Sequence, residues 1–302
     1  MNGVIVVDKP QGFTSFDVVA VMRGLAKEKK IGHTGTLDPM ATGVLPLLLG
    51  RAAKAAELLP DTDKEYQAEF LLGERYDTGD VTGTLTERRD CPVSRPQLEA
   101  ALTGFRGDIM QVPPMYSAVS VNGKRLYQLA RQGMEVERSP RPVHIALLTL
   151  EDYDETARRG RLRVSCSKGT YIRVLIEDIA QAAGTVGVMT ALRRTQACGF
   201  SEEEALPLDR LRELAAGGGL GSVLRPVESL FEGYAQVAVS EAQSRRFQNG
   251  GGLDMQRLRL RAKPEEGQVL RVYGPQGSFL GLARADLNRS ELRFLKRFTE
   301  EG

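Results

Sequence analysis

The chain opens on "GVIVVDKP", an apolar run closed by a proline, which predicts a short strand buried on both faces. "TSFDVVAVMRGLAKEKK" follows with hydroxyls at its start, apolar residues at helical spacing and lysines at its end, a helix matched to its own dipole. "YQAEFLL" and "GRLRVSCS" alternate as strands do, and in the second Leu162, Val164 and Cys166 share one face. "TYIRVLIEDIAQAA" returns to helical spacing. Strands interspersed with helices predict a mixed α/β (α+β) domain, although periodicity leaves the strand order open. From about Ala235 the pattern changes to short β-like runs, "AQVAVS", "QVLRVYG", "GSFLGLARAD" and "LRFLKRF", separated by glycine turns, which predicts a small β-barrel-like module. The expected division is therefore residues 1–234 and 235–302. "AAGGGLGS" and "NGGG" hold too much glycine for element interiors and are expected to be loops, without the spacing of a phosphate cradle.

With 302 residues and 41% hydrophobic content, the chain can build one large domain and a smaller one. No apolar run approaches the roughly 18 residues that span a bilayer, and "MNGVIVVDKP" meets charge and proline too early for a secretory signal, so a cytoplasmic protein is expected. Cys91, Cys166 and Cys198 are far apart and lack C-x-x-C spacing, which argues against a disulfide framework and a zinc knuckle. With His33 and His144 as the two imidazoles, no metal site is expected and carboxylate chemistry gains by elimination.

Net charge is +2, but residues from Ala235 onward carry 12 Lys and Arg against 8 Asp and Glu. A basic C-terminal segment suits a polyanionic partner, although such residues are commonly just a solvated face. A second basic stretch, about 116–143, includes Lys124, Arg125, Arg131, Arg138 and Arg141, with an Asn-Gly turn near its start. It reads equally as a mobile arm or as a surface hairpin and helix.

One loop, "GHTGTLDPMATG", places a single carboxylate, Asp38, before Pro39 among glycines and threonines. Gly32, Gly35 and Gly43 allow backbone angles closed to other residues, and Pro39 disfavours the helical region for Asp38. An Asx-type turn explains such a residue on its own, so other stretches must decide whether it carries chemistry.

Those stretches are "DKPQGFTS", "GHTGTLDPMATGVLPL", "KEYQAEFLLG", "VPPMYSAVSVNGKRLYQLAR", "SKGTYIRVLIEDIA" and "ALRRTQACGF", in this order. Together they strongly resemble the TruB family of bacterial tRNA pseudouridine-55 synthases over nearly the whole chain, and the C-terminal segment resembles the PUA-type RNA-binding module that follows that catalytic domain. The chain departs mildly where "DIAQAAGTVG" replaces a "DLG" continuation, which bears on local helix packing. The resemblance implies a pseudouridine-synthase domain with a central, mostly antiparallel sheet flanked by helices. It also implies isomerisation of a T-loop uridine in tRNA, without a cofactor: the base is everted, the N1–C1′ bond breaks, and C5 is joined to C1′. Scission at an anomeric carbon develops positive charge on the sugar, which a fixed carboxylate can stabilise or attack.

By the same resemblance Asp38 is the essential aspartate, and Arg173, in "TYIR", is the partner that keeps it ionised, as a closed pocket requires. Tyr66 stacks on the target uracil and is a candidate for proton transfer at C5, Tyr171 and Leu192 line the uracil site, His33 fills the gap left by the everted base, and Lys9 supports the loop or touches RNA. Taken alone, Tyr66 reads as a core residue, Tyr171 and Leu192 could equally be core, Arg173 reads as a helix-surface side chain and His33 as a loop residue. The arm is expected to close over the T-loop and the C-terminal module to reach the acceptor arm, with no membrane partner and a monomer as the working expectation. Two other classes remain open: a non-catalytic RNA-binding or tRNA-folding protein, and a glycosidase-like hydrolase, which needs a second carboxylate across the bond that the sequence does not single out.

Overall fold

A computed structural model describes residues 1–121 and 123–298. The first half of the chain runs β1 (Gly3–Lys9), α1 (Ser15–Ala26), β2 (Ile31–His33), β3 (Thr42–Leu49), β4 (Lys64–Leu72), β5 (Glu74–Tyr76), β6 (Leu85–Arg88), α2 (Arg95–Leu102), β7 (Gly107–Gln111), β8 (Ser120–Val121), β9 (Lys124–Arg125) and α3 (Leu126–Ala130). It continues as β10 (Arg141–Asp154), β11 (Arg159–Cys166), α4 (Ile172–Ala182), β12 (Gly187–Ala197), β13 (Phe200–Ser201), β14 (Leu206–Pro207) and α5 (Leu208–Ala216). The last part holds β15 (Ala235–Ala238), α6 (Glu241–Gln248), β16 (Leu253–Asp254), β17 (Val269–Tyr273), β18 (Phe279–Asp286) and β19 (Glu291–Arg297).

A ten-stranded sheet, in the order β14-β1-β3-β12-β4-β11-β10-β7 with β2 on β3 and β13 on β12, organises the first 234 residues. Its pairs are antiparallel except β1 with β14 and β3 with β12. The apolar opening run is β1, buried along nearly its whole length. α1 begins where Thr14 accepts a hydrogen bond from the Asp17 amide while Asp17 accepts from that of Thr14, and it ends at Lys27 in the left-handed region. Its buried residues Val18, Val19, Met22 and Ala26 pack with Ile5, Val7, Leu45 and Leu47 of β1 and β3.

Further along the same face, as the pairing of Gly43 with Arg194 and of Arg194 with Tyr66 shows, α2 and α4 cover β4, β10, β11 and β12, and Leu162, Val164 and Cys166 are all buried there, facing the helices. The short parallel contact of β3 with β12 pairs Gly43 with Arg194. Gly43 has φ +103°, and a Cβ there would lie 2.2 Å from the Arg194 carbonyl oxygen, so the seam closes only with glycine.

The C-terminal segment forms a separate five-stranded sheet, ordered β15-β17-β18-β19-β16, which fits a PUA-like module. It is not independent of the large sheet: Leu282 and Phe298 share one apolar cluster with Val4, Val6, Val44 and Phe231. The Phe231 ring lies 5.2 Å from that of Phe298. In the basic stretch β8 and β9 pair as a hairpin before α3; the Asn-Gly turn rests on Asn122, outside the described residues. Among the described residues no helix is long and apolar enough to cross a membrane.

Candidate active site

The site lies where the loop entering β3 meets β4, β12 and the start of α4. Asp38 opens a turn with Pro39 at its second position, closed by a 3.0 Å hydrogen bond from the Ala41 amide to the Asp38 carbonyl. Both neighbours of Asp38 are tied down. The Leu37 amide donates to Ser15 Oγ at 2.8 Å, and the Pro39 carbonyl accepts from the Gly12 amide at 2.8 Å and from Lys9 Nζ at 3.4 Å. The Asp38 carboxylate is therefore aimed by backbone bonds on either side of it.

Arg173, in the first turn of α4, is nearly enclosed, with 7% of its side chain exposed against 38% for Asp38. Its Nη2 lies 3.1 Å from Asp38 Oδ2 and donates to the Tyr116 carbonyl at 2.8 Å, while Nη1 donates to the Thr78 carbonyl at 2.7 Å. Its Nε faces a second carboxylate, Asp80, at 3.8 Å. Asp80 is buried and is itself held by the Thr82 amide and by the hydroxyls of Thr78 and Thr82. The guanidinium thus stands between two acids, one fixed in the interior and one facing the cleft, a planar fork used on several sides.

The cleft has a volume of about 310 Å³, and its walls include Asp38, Tyr66, Tyr116, Tyr171, Arg173 and Leu192. Tyr66 on β4 is buried, and burial pushes its phenol above the ordinary range. Leu192 on β12 presents an apolar surface two residues before Arg194 on the same face of the strand. Tyr171 precedes α4, where Gln111 receives its amide at 3.0 Å and donates to its carbonyl at 3.3 Å.

The sequence-predicted residues thus divide. Asp38, Arg173, Tyr66, Tyr171 and Leu192 converge on one cleft. His33 ends β2, half-buried, with Nδ1 enclosed and without a partner among the described residues. Burial first and the Arg194 charge second lower its pKa, which favours the neutral ring. Lys9 is fully enclosed and donates from Nζ to the carbonyls of Phe13 at 2.6 Å, Pro10 at 3.0 Å and Pro39 at 3.4 Å, so its ammonium braces the loop from the inside. Asp80 and Arg194 were not singled out from the sequence. The signals were present: two aspartates three apart in "DTGD", and a strand alternation that turns Arg194 inward with Leu192.

A carboxylate clamped by an enclosed arginine at the floor of a cleft is the candidate site, and the fold that holds it is that of a pseudouridine synthase. The structure superposes on the crystal structure of a Cbf5-Nop10-Gar1 complex with a TM-score of 0.76 at 26% identity, covering 98% of this chain and 85% of that one. The TruB family pseudouridylate synthase N-terminal domain matches residues 23–172, the tRNA pseudouridylate synthase B C-terminal domain residues 173–232, and the C-terminal domain of pseudouridine synthase II TruB residues 235–289. The tRNA pseudouridine synthase B of Stutzerimonas stutzeri is 44% identical over 93% of this chain and 91% of its own length. That of Clostridium acetobutylicum is 38% identical over 99% of this chain and 100% of its own. The chain belongs to the TruB family of pseudouridylate synthases.

Proposed function

We propose that this protein is a tRNA pseudouridine synthase that isomerises uridine-55 of the T-loop, with Asp38 as the catalytic carboxylate. The observation that carries the reading is the Asp38–Arg173 pair at 3.1 Å on the floor of a cleft walled by Tyr66, Tyr171 and Leu192. A base everted into that cleft brings its sugar to Asp38, and loss of the N1–C1′ bond leaves positive character at C1′ that the carboxylate stabilises or captures. Arg173 keeps Asp38 anionic and aimed, Tyr66 stacks on the uracil, Tyr171 and Leu192 hold its plane, and the neutral His33 ring occupies the space that the base leaves. The enclosed carboxylate Asp80 does not offer the hydrolase geometry, because it lies on the far side of Arg173 from the cleft, not across a scissile bond.

RNA is gripped elsewhere, in the cytoplasm, by a protein working as a monomer. "RLRLRAK" alternates, with Leu258 and Leu260 packed on the core of the C-terminal sheet and Arg257, Arg259, Arg261 and Lys263 exposed, a stripe of charge suited to the phosphates of an acceptor arm. Residues 116–143 close over the T-loop. Tyr116, Ser117 and Ala118 already form one wall of the cleft, which ties this arm to the site.

The test uses a tRNA transcript with tritium at uracil C5. Isomerisation releases the label to water, a pure RNA binder releases none, and a hydrolase leaves an abasic site. Asp38→Asn is expected to abolish release while retaining tRNA binding; release at the wild-type rate removes Asp38 from the mechanism.

A further inference from the structure

Arg194 is fully enclosed, yet among the described residues it pairs with no carboxylate. Its neighbours differ: Arg173 stands between Asp38 and Asp80, and Arg193 holds Asp8 and Glu202. Arg194 Nε donates to the Val44 carbonyl at 2.7 Å and Nη2 to the Gly35 carbonyl at 3.1 Å, while Nη1 is buried without a hydrogen-bond partner. A guanidinium sealed from water with a free N–H and no counter-ion is a costly element of a core and a frequent one in sites that develop negative charge.

The residue directly opposite, in register on β4, is Tyr66. Opposed residues on paired strands point to the same face, so the guanidinium and the phenol share one side of the sheet, beside the cleft. The surrounding ionisable groups are Asp38 from the loop, Cys166 from β11, Lys64 from β4, His33 from β2 and Lys9 from β1. Burial, Cys166 and Asp38 all raise the phenol pKa, and Arg194 is the group that opposes them. The same charge disfavours protonation of Lys9, His33 and Lys64.

We propose that Arg194 is a positioning residue that stabilises the Tyr66 phenolate, so that Tyr66 takes the C5 proton in the last step of isomerisation. The inference rests on the function proposed above. Once C5 is bonded to C1′ it carries both that bond and its hydrogen. The C5–H bond breaks with its proton passing to the Tyr66 oxygen, the electron pair forms C5=C6, the C6=N1 pair moves onto N1, and N1 takes a proton from water. The phenol returns its proton to water after the product leaves. Burial favours the neutral phenol, and the Arg194 charge on the same face of the sheet offsets part of that cost for the phenolate that receives the proton; its Nη1 is a buried donor without a hydrogen-bond partner among the described residues.

The experiment compares full-length wild type, Arg194→Gln, Arg194→Lys, Tyr66→Phe and the Arg194→Gln/Tyr66→Phe double variant on tRNA carrying protium or deuterium at C5, in single turnovers across a range of pH. Arg194→Gln is expected to slow turnover by about 100-fold, to recover part of the rate as pH rises, and to show a C5 deuterium isotope effect larger than that of wild type. Arg194→Lys should restore part of the rate, and the double variant should be no slower than Tyr66→Phe by more than about threefold, since the two residues act through one oxygen. A folded Arg194→Gln with the wild-type rate, or one that slows both tyrosine backgrounds equally without an enlarged isotope effect, overturns the assignment. Should the glutamine variant not fold, ¹³Cζ-tyrosine titration of Arg194→Lys carries the test: an upward displacement of the Tyr66 midpoint supports the proposal and an unmoved one refutes it. Loss of C5 label release in wild type itself would count against the function, not against the pairing.

Discussion

Arg173→Lys keeps the positive charge and removes the fork, so it isolates what geometry contributes. In the native site three nitrogens are committed, with Nη1 on the Thr78 carbonyl, Nη2 shared by the Tyr116 carbonyl and Asp38, and Nε facing Asp80. A lysine ammonium is a single point. It can sit near Asp38 or near Asp80, but it cannot reach both acids and both carbonyls, which lie on different sides of the guanidinium. Two charge-assisted hydrogen bonds at about 1.5–3 kcal/mol each bound the loss at roughly 3–6 kcal/mol. Water reaches the Asp38 end, whose side chain is 38% exposed, and screens part of that loss. The lower figure, about 3 kcal/mol, is therefore the better guide, and it corresponds to on the order of 100-fold in rate if it falls wholly on the transition state. Because the carbonyl bonds also exist in the free enzyme, a share appears as a lowered Tm and the remainder as lowered kcat. The assay is C5 label release at saturating tRNA, with Kd measured separately by filter binding. Turnover should fall by roughly 10–100-fold while Kd stays within about threefold. A stably folded lysine variant whose kcat is within about threefold of wild type would show that Asp38 needs only a nearby charge, and the argument from the fork would be lost.

The basic stripe predicts a salt signature: Arg259→Gln, Arg261→Gln and Lys263→Gln together should weaken tRNA binding and flatten the slope of log K against log salt by roughly 0.7–0.9 per phosphate contact removed, whereas an unchanged slope places the contact elsewhere. Substitution is preferable to truncation at Ala235, because Leu282 and Phe298 share a cluster with Val4 and Val44 and their removal would open the large sheet. Lys9 gives a pH prediction. Burial lowers it to about 8, so the unfolded chain holds that proton more tightly from about pH 8 up to the ordinary lysine value of 10.5, and stability contributed by this group rises with pH across that window. Relative to Lys9→Met, which has no such proton, wild-type Tm should gain as pH is raised through it; a constant difference would place the Lys9 pKa near its ordinary value.

Much of the fold could be read from local pattern because its signals are local. The period of β1, the capped α1, the alternation of β11 and the helical spacing of α4 each depend on residues a few positions apart. The same holds for Asp38, whose turn is written in Asp-Pro and the glycines around it, although its role needed the family resemblance. What escaped is what two distant segments make together. Asp80 is an ordinary turn aspartate until α4 carries Arg173 to it across more than 90 positions, and a residue's own neighbours say nothing of that contact. Lys9 reads as a charge that should meet solvent or RNA, yet Phe13 and Pro39 fold around it and supply carbonyls in place of water. Arg194 shows two rules in conflict. Strand alternation with Leu192 turns it inward, while the habit of arginine is to remain outside, and residue type outweighs pattern when the letters are read alone. Such a conflict is itself informative, since consistent sequences bury apolar groups and a guanidinium buried without an acid among the described residues breaks that consistency at the strand that walls the cleft. The positions hardest to read from the chain are therefore the ones where this fold departs from what stability alone would select, and they lie at the site.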